Sequence, residues 1–332
     1  MISMENIIRI AILGSGRVAK ARVREIGLRA DARVTVIAAS SPERAREVAE
    51  PAGADVSTDW REAVARPDVD AVMVCSRNAL HVPQVEAALQ AGKHVSVDYP
   101  LALSLADAER LAALANERQL VLHVEHIELL SAWFVAFLDA LPRVGTIREI
   151  SWKNLSARQF APGDWTFDRV SGFSMFQQAS LPSRLIRCVG PVEWVDATET
   201  LDGDENGCFR RRETVVAFGF SGGTGHIHDA VGLGTPGASS ELVVTGENGT
   251  LAARELKEVT LTSPDGTAEP VPIPAAGGLF ARDVAEFLAR VAHGTPAYVS
   301  LDHVLTVFRF ADAAERSVVT GRRAVPINEN HL

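Results

Sequence analysis

A chain of 332 residues, 47% hydrophobic and 23% charged, has enough core-forming residues for one or two ordinary globular domains. A formal net charge of −9 argues against a polyanionic partner, because phosphate backbones are held by clustered Lys and Arg, and Arg210-Arg211-Arg212 is only a short basic block. No apolar run approaches the roughly 18 residues of a membrane span, the opening MISMENIIRIAILGSG lacks the basic region of a secretory leader, and Cys75, Cys188 and Cys208 are scattered, so a cytoplasmic protein with reduced thiols is expected.

Ile7 to Leu13 is a nearly continuous apolar run, as expected for a strand covered on both faces, and Gly14-Ser15-Gly16 ends it before a helix from Arg17 to Arg29. Val34 to Ala39 reads as a second strand, and Ser41-Pro42-Glu43 opens another helix with Pro in its first turn. The cycle continues with a strand at Asp70 to Val74, a helix at Val82 to Ala91, and a strand at His94 to Val97. A helix at Ser104 to Gln119 and a strand at Leu120 to Val124 complete it. Strands alternating with helices at this spacing imply a parallel, doubly wound α/β sheet.

After Glu125 the pattern changes. A helix at Leu129 to Leu141 precedes a strand at Ile147 to Lys153, then a loop rich in Gly, Pro and aromatics. Six strands follow in succession: Glu193 to Thr200, Glu213 to Phe220, Gly225 to Val231, Glu241 to Thr245, Thr250 to Arg254 and Glu258 to Thr262. Turn clusters such as Glu247-Asn248-Gly249 separate several of them, so a large, mainly antiparallel open sheet is expected. Two amphipathic helices close the chain, one marked by Val284, Phe287, Leu288 and Val291, the other by Val304, Phe308, Ala311 and Val318. The division falls at a dinucleotide-binding domain over residues 1–125 and an α+β substrate domain over 126–332, whose last helix could pack back on the first domain.

Gly14-Ser15-Gly16-Arg17-Val18-Ala19 fits G-x-G-x-x-G/A between a strand and a helix. The first Gly turns the chain, the second admits a pyrophosphate, and a small third residue lets helix and strand approach. The acid that usually holds the ribose 2′-hydroxyl is missing from the end of the second strand, where Ser40, Ser41 and Arg44 suit a 2′-phosphate; Glu43 is expected to face solvent. NADPH is therefore the expected cofactor, with NADH as the alternative. Cys75, Ser76, Asp98 and Tyr99, at later strand ends, are expected to line the same crevice.

Tyr99 carries a phenol with an ordinary pKa of about 10, able to donate a hydrogen bond or proton; packing against Pro100 or the nicotinamide is the alternative. Glu125 and His126 are candidates for lining the cleft. Strand alternation puts His123 and Glu125 on one face and His126 on the other, which argues against a shared metal, so none is expected. His226 and His228 share a strand face with nothing to complete a site, and no G-x-S-x-G marks a serine nucleophile. Trp152, Phe160, Trp165, Phe167, Phe173 and Phe176 form either an apolar pocket wall or core.

Residues 91–103, AGKHVSVDYPLAL, resemble the glucose-fructose oxidoreductase / inositol dehydrogenase family (Gfo/Idh/MocA), in which Glu-Lys-Pro follows the corresponding strand and the Lys is catalytic; here Tyr99 takes its place. Residues 121–130, VLHVEHIELL, and Gly277-Gly278-Leu279-Phe280 are similar to the biliverdin-reductase branch of that family. The resemblance implies an oxidoreductase moving hydride between NAD(P)H and a conjugated C=C or C=N carbon of a small molecule. Aligning Gly172-Phe173 with the family's Gly-rich turn puts Gln177 and Leu181 where sugar dehydrogenases carry Asp and His, and Ser180-Leu181 where biliverdin reductases carry Ser-Arg. Arg184 and Arg187 remain as candidate anchors for a substrate carboxylate, on a helix expected to run through Phe173–Arg187 opposite Tyr99. The expected substrate is accordingly less anionic than biliverdin. A sugar or polyol dehydrogenase with a rebuilt site, and a non-catalytic dinucleotide-binding regulator, remain as alternatives. A homo-oligomer through the C-terminal sheet is left open.

Overall fold

The computed structural model describes residues 7–161, 163–169, 180–203, 207–232 and 238–326. The chain forms two compact units, Met1–Ile127 with Gly277–Leu305, and Glu128–Ala276 with Thr306–Leu332. Among the described residues no helix is long and apolar enough to cross a membrane.

In the first unit the elements are β1 (Ile8–Leu13), α1 (Arg17–Gly27), β2 (Ala32–Ala38), α2 (Pro42–Ala49), β3 (Asp55–Ser57) and α3 (Trp60–Ala65). They continue with β4 (Ala71–Val74), α4 (His81–Gln90), β5 (His94–Val97), α5 (Leu105–Glu117) and β6 (Leu122–Val124). The strands pair in parallel in the order β3-β2-β1-β4-β5-β6. The order reverses between β1 and β4, and the crevice of such a sheet lies at the carboxyl ends of those two strands. Strand β4 is buried along its whole length, which explains its unbroken apolar sequence. Ala19, Val23 and Ile26 on one stripe of α1 join a core that also takes Val284, Phe287 and Leu288 from the helix Leu279–His293. Each such large side chain contributes roughly 1.5–3 kcal/mol by leaving water. That helix therefore belongs with the first unit, not with the second domain in which the sequence placed it.

In the second unit α6 (Ala132–Ala140) precedes β7 (Ile147–Ser156) and α7 (Ser180–Val189). The strands β8 (Val192–Asp202), β9 (Arg211–Phe220), β10 (Gly223–Val231), β11 (Ser239–Gly246), β12 (Gly249–Arg254), β13 (Glu258–Thr262) and β14 (Ala268–Pro270) follow. The helix Leu279–His293 is α8, and α9 is Leu301–Thr320. The eight strands run β14-β13-β12-β11-β7-β10-β9-β8, antiparallel except for the β7–β10 pair. One face carries Ile150, Trp152, Val216, Phe218, Ile227, Leu242 and Leu251, all buried; Lys153, Val215 and His226 on the other are exposed. Phe310 of α9 packs edge-on against Phe218, ring centroids 5.5 Å apart. The fold is thus the expected parallel Rossmann sheet plus a large, mostly antiparallel sheet.

Candidate active site

Gly14 sits at φ +134° at the end of β1, where an added Cβ would lie 2.4 Å from the Cys75 carbonyl oxygen. Its N–H donates to Ala38 O at 2.8 Å and the Cys75 N–H to Leu13 O at 2.9 Å, so the tips of β1, β2 and β4 are laced together. Gly16 is the N-cap of α1, where a Cβ would meet nothing within 4 Å. No side chain caps that helix and no acid lies in its first turn. Exposed N–H groups at the positive end of a helix, beneath open space, are the surroundings a pyrophosphate needs. Gly14, Ser15, Gly16, Arg17 and Val18 therefore fit a dinucleotide.

At the end of β2, Ser40 and Arg44 are exposed. Ser41 caps α2, accepting the Arg44 N–H at 3.3 Å and donating its hydroxyl to Glu43 at 3.0 Å. Glu43 thus turns back onto Ser41 instead of pointing only to solvent, because a cap hydroxyl has a hydrogen to give once its oxygen accepts a backbone N–H. The Arg44 guanidinium has no ion-pair partner among the described residues. At the end of β4 the Cys75 thiol is buried, and burial together with the nearby Asp98 charge pushes its pKa well up, so it offers backbone rather than a thiolate. Ser76 donates to Gln84 at 2.7 Å. Buried His81, which the sequence did not single out, bridges Pro100 O at 2.7 Å and Ser76 O at 3.2 Å.

Beyond β5 the half-buried Tyr99 stacks on His126, centroids 6.1 Å apart and planes at 17°. Asp98 is held by Arg22 at 2.9 Å, yet burial outweighs that charge and raises its pKa. Glu125 is 3% exposed and accepts the Tyr99 N–H at 3.5 Å. Burial, then the charges of Asp98 and Asp283, push its carboxyl well above the carboxylate range, which favours the neutral acid. His123 pairs with Asp283 at 2.8 Å. No three His, Cys, Asp or Glu side chains among the described residues gather as metal ligands.

In the second unit Arg184 is 3% exposed, pairs with Glu128 at 2.7 Å, and lies 4.8 Å above the Trp152 ring and 5.6 Å from that of Trp133. The expected carboxylate anchor is thus a buried cation with its charge already matched. Arg187, one turn on, is exposed, while Leu181 is buried. Gly172, Phe173, Phe176 and Gln177 lie outside the described residues. Trp152, Phe160 and Phe167 pack as core, Phe167 against Phe160 and Phe209. His228 pairs with Glu213 at 2.9 Å. Arg22, Asp283 and Tyr298 (which bonds Asp283) escaped the sequence reading. The available signal was a charge on an apolar stripe: Arg22 between Ala19, Val23 and Ile26, and Asp283 beside Val284 and Phe287.

Residues 8–126 match the family model described as "Oxidoreductase family, NAD-binding Rossmann fold" (GFO_IDH_MocA). A 4-carboxy-2-hydroxymuconate-6-semialdehyde dehydrogenase of Sphingobium sp. is 40% identical over 119 residues, 36% of this chain and 38% of that protein. Biliverdin reductase A of Homo sapiens is 35% identical over 139 residues, 41% of this chain and 44% of that one. The chain therefore matches less than half the length of these relatives. The crystal structure of biliverdin reductase from Synechocystis sp. PCC 6803, in complex with biliverdin and NADP+, aligns with a TM-score of 0.89 at 28% identity, covering 94% of this chain and 99% of that one.

Proposed function

We propose that this chain, whose residues 8–126 belong to the Gfo/Idh/MocA oxidoreductases with their NAD-binding Rossmann fold, is a biliverdin-reductase-like, NADPH-preferring reductase of a conjugated small molecule, working in the cytoplasm. The observation that carries this reading is the backbone likeness to a biliverdin reductase along nearly the whole chain. When bound, the dihydronicotinamide supplies a hydride to a C=N or C=C carbon.

Gly14, Gly16 and the N-terminus of α1 hold the pyrophosphate, and Ser40 with Arg44 receives the 2′-phosphate. Asp98 and Tyr99 close the crevice at the tip of β5. Tyr99 stands where sugar-oxidising relatives carry Lys and offers a phenol O–H in place of an ammonium. The Glu125 carboxyl beside its backbone is pushed toward the neutral acid by burial and by the charges of Asp98 and Asp283. A conjugated acceptor needs a flat surface and a proton source, which the Tyr99–His126 ring pair and the phenol supply. Arg187, exposed on α7, takes the anchoring role for an anionic substituent, and Arg184 holds that helix through Glu128. Buried Leu181 leaves one fewer cation for the substrate, which favours an acceptor less anionic than biliverdin.

Titration of cofactor fluorescence, then turnover on biliverdin and on an uncharged conjugated cyclic imine, tests the reading. NADPH is expected to bind more tightly than NADH, with slow biliverdin reduction and faster imine reduction. Oxidation of a polyol with no reduction of either acceptor would overturn it, as would stoichiometric cofactor binding without turnover.

A further inference from the structure

One side chain from near the end of the sequence reaches the tips of two strands in the dinucleotide unit. Asp283 on α8 is fully buried. Its Oδ2 accepts from Arg22 Nη1 at 2.7 Å, and its Oδ1 accepts from the Tyr298 hydroxyl and from His123 Nε2, both at 2.8 Å. Arg290 Nη1 lies 3.3 Å from His123 Nδ1, which leaves the imidazole proton on Nε2 for Asp283.

Two arms leave this carboxylate. Along the first, fully buried Arg22 reaches one oxygen of Asp98 with Nη2 at 2.9 Å and Nε at 3.3 Å, immediately before Tyr99. Along the second, the Tyr298 oxygen accepts the backbone N–H of His126 at 3.0 Å. The arms therefore end on the carboxylate of the residue before Tyr99 and on the backbone N–H of His126, and the Tyr99 and His126 rings stack on each other. Donor directions around the loop are settled at neutral pH. Burial works to raise the Asp283 carboxyl, but its contacts with His123 and Arg22 overcome it and hold it well below the carboxylate range. Burial, then the Asp283 charge, pushes the Tyr298 phenol well up, so it keeps its proton. A buried ion pair adds little over an apolar replacement of the same shape, but a network with every member satisfied admits few arrangements.

We propose that Asp283, with Arg22 and Tyr298, is a positioning residue that fixes Tyr99 and His126 in the arrangement the reduction uses. The proposal rests on reading Tyr99 as the group beside the substrate, yet its first test needs no substrate. The chain has two tyrosines, Tyr99 and Tyr298, so isotope labelling of tyrosine gives an NMR spectrum of two rings. In cofactor-free protein, Asp283→Asn and Tyr298→Phe are each expected to shift and broaden the Tyr99 ring signals while the tryptophan indole signals stay in place. With NADPH and biliverdin, both variants should lose about 10- to 100-fold in kcat, the scale of a small misplacement, with the cofactor Kd unchanged. A Tyr99 signal identical to wild type in a folded variant overturns the proposal, even if thermal stability has dropped. Should Asp283→Asn not fold, Tyr298→Phe, which deletes one hydroxyl, decides alone. Absence of turnover on both biliverdin and the uncharged cyclic imine in the wild type counts against the proposed function and leaves the ring signal to judge the network.

Discussion

At Gly14 and Gly16 the same substitution asks two different questions. A methyl group at Gly14 would press into the Cys75 carbonyl at 2.4 Å and hold a side chain at φ +134°, whereas at Gly16 it meets no protein atom within 4 Å. Gly14→Ala should therefore cost about 1–3 kcal/mol of stability as well as cofactor affinity. Gly16→Ala should leave denaturation unchanged and weaken NADPH alone; equal affinity for wild type and Gly16→Ala would remove the pyrophosphate from that space. Around Ser41 two charges oppose each other. Arg44→Ala should lower the NADPH/NADH affinity ratio about tenfold, as for the loss of one charge-assisted hydrogen bond, and Glu43→Gln should raise it; fluorescence titration reads both. The glycine motif was legible because its requirements are local. Arg22 and Asp283 were not, because the partners stand 261 positions apart and each alone looks like an ordinary helix charge.

Helix α7 divides its two arginines between different tasks. Arg184→Ala strips Glu128 of its partner and the two tryptophan rings of a cation, and should cost about 2–4 kcal/mol in a denaturant titration, with cofactor affinity unaltered. Arg187→Ala, at an exposed position, should leave stability within about 0.5 kcal/mol and raise KM for an anionic acceptor. An unchanged KM would leave Arg187 as a solvated helix residue. Elements with strong periodicity were readable in advance, including the βα alternation outside β3 and α3 and the run of strands from β8 to β13. The three-residue strands β3 and β14 and the six-residue α3 were not, since so few residues express no period. The helix expected at Leu129 to Leu141 is regular only over α6, with 3-10 turns at Ile127–Leu130 and Leu141–Val144; Pro142, which lacks an N–H, stands in the second. Assignment of α8 to a unit was beyond a periodicity argument: an apolar stripe says that a face is buried, not against what.

Stability of the molecule should fall as pH rises from mildly acidic to neutral. Glu315 on α9 has its carboxyl pushed up to about 7 by burial and then by the charge of Glu199. A raised acid is at its most stabilising below its unfolded pKa, and that stability drains as pH rises through the folded value. Between pH 5 and pH 8 the wild type should lose about 1–2 kcal/mol from this group, allowing for its partial exposure. Tryptophan fluorescence is a suitable readout, since Trp133, Trp152, Trp165 and Trp194 all belong to the second unit. Glu315→Gln should flatten the profile, and a variant with the wild-type slope would refute the assignment. Asp283 acts in the opposite sense in the first unit: its depressed pKa stabilises above the unfolded value and is lost as pH falls below about 4.

The return of Gly277–Leu305 to the first unit sets an order of events during translation. The ribosome delivers β1 through β6 early, but the helix that covers the apolar stripe of α1 and brings Asp283 to Arg22 emerges only after the whole second sheet has been made. Until then Arg22 has Asp98 but not Asp283 as a partner, on an otherwise apolar face that α8 has yet to cover, a state that suits chaperone capture better than independent folding. The unit synthesised first is thus completed late. A message truncated before codon 277 should yield a chain that is degraded, not a free-standing nucleotide-binding fragment.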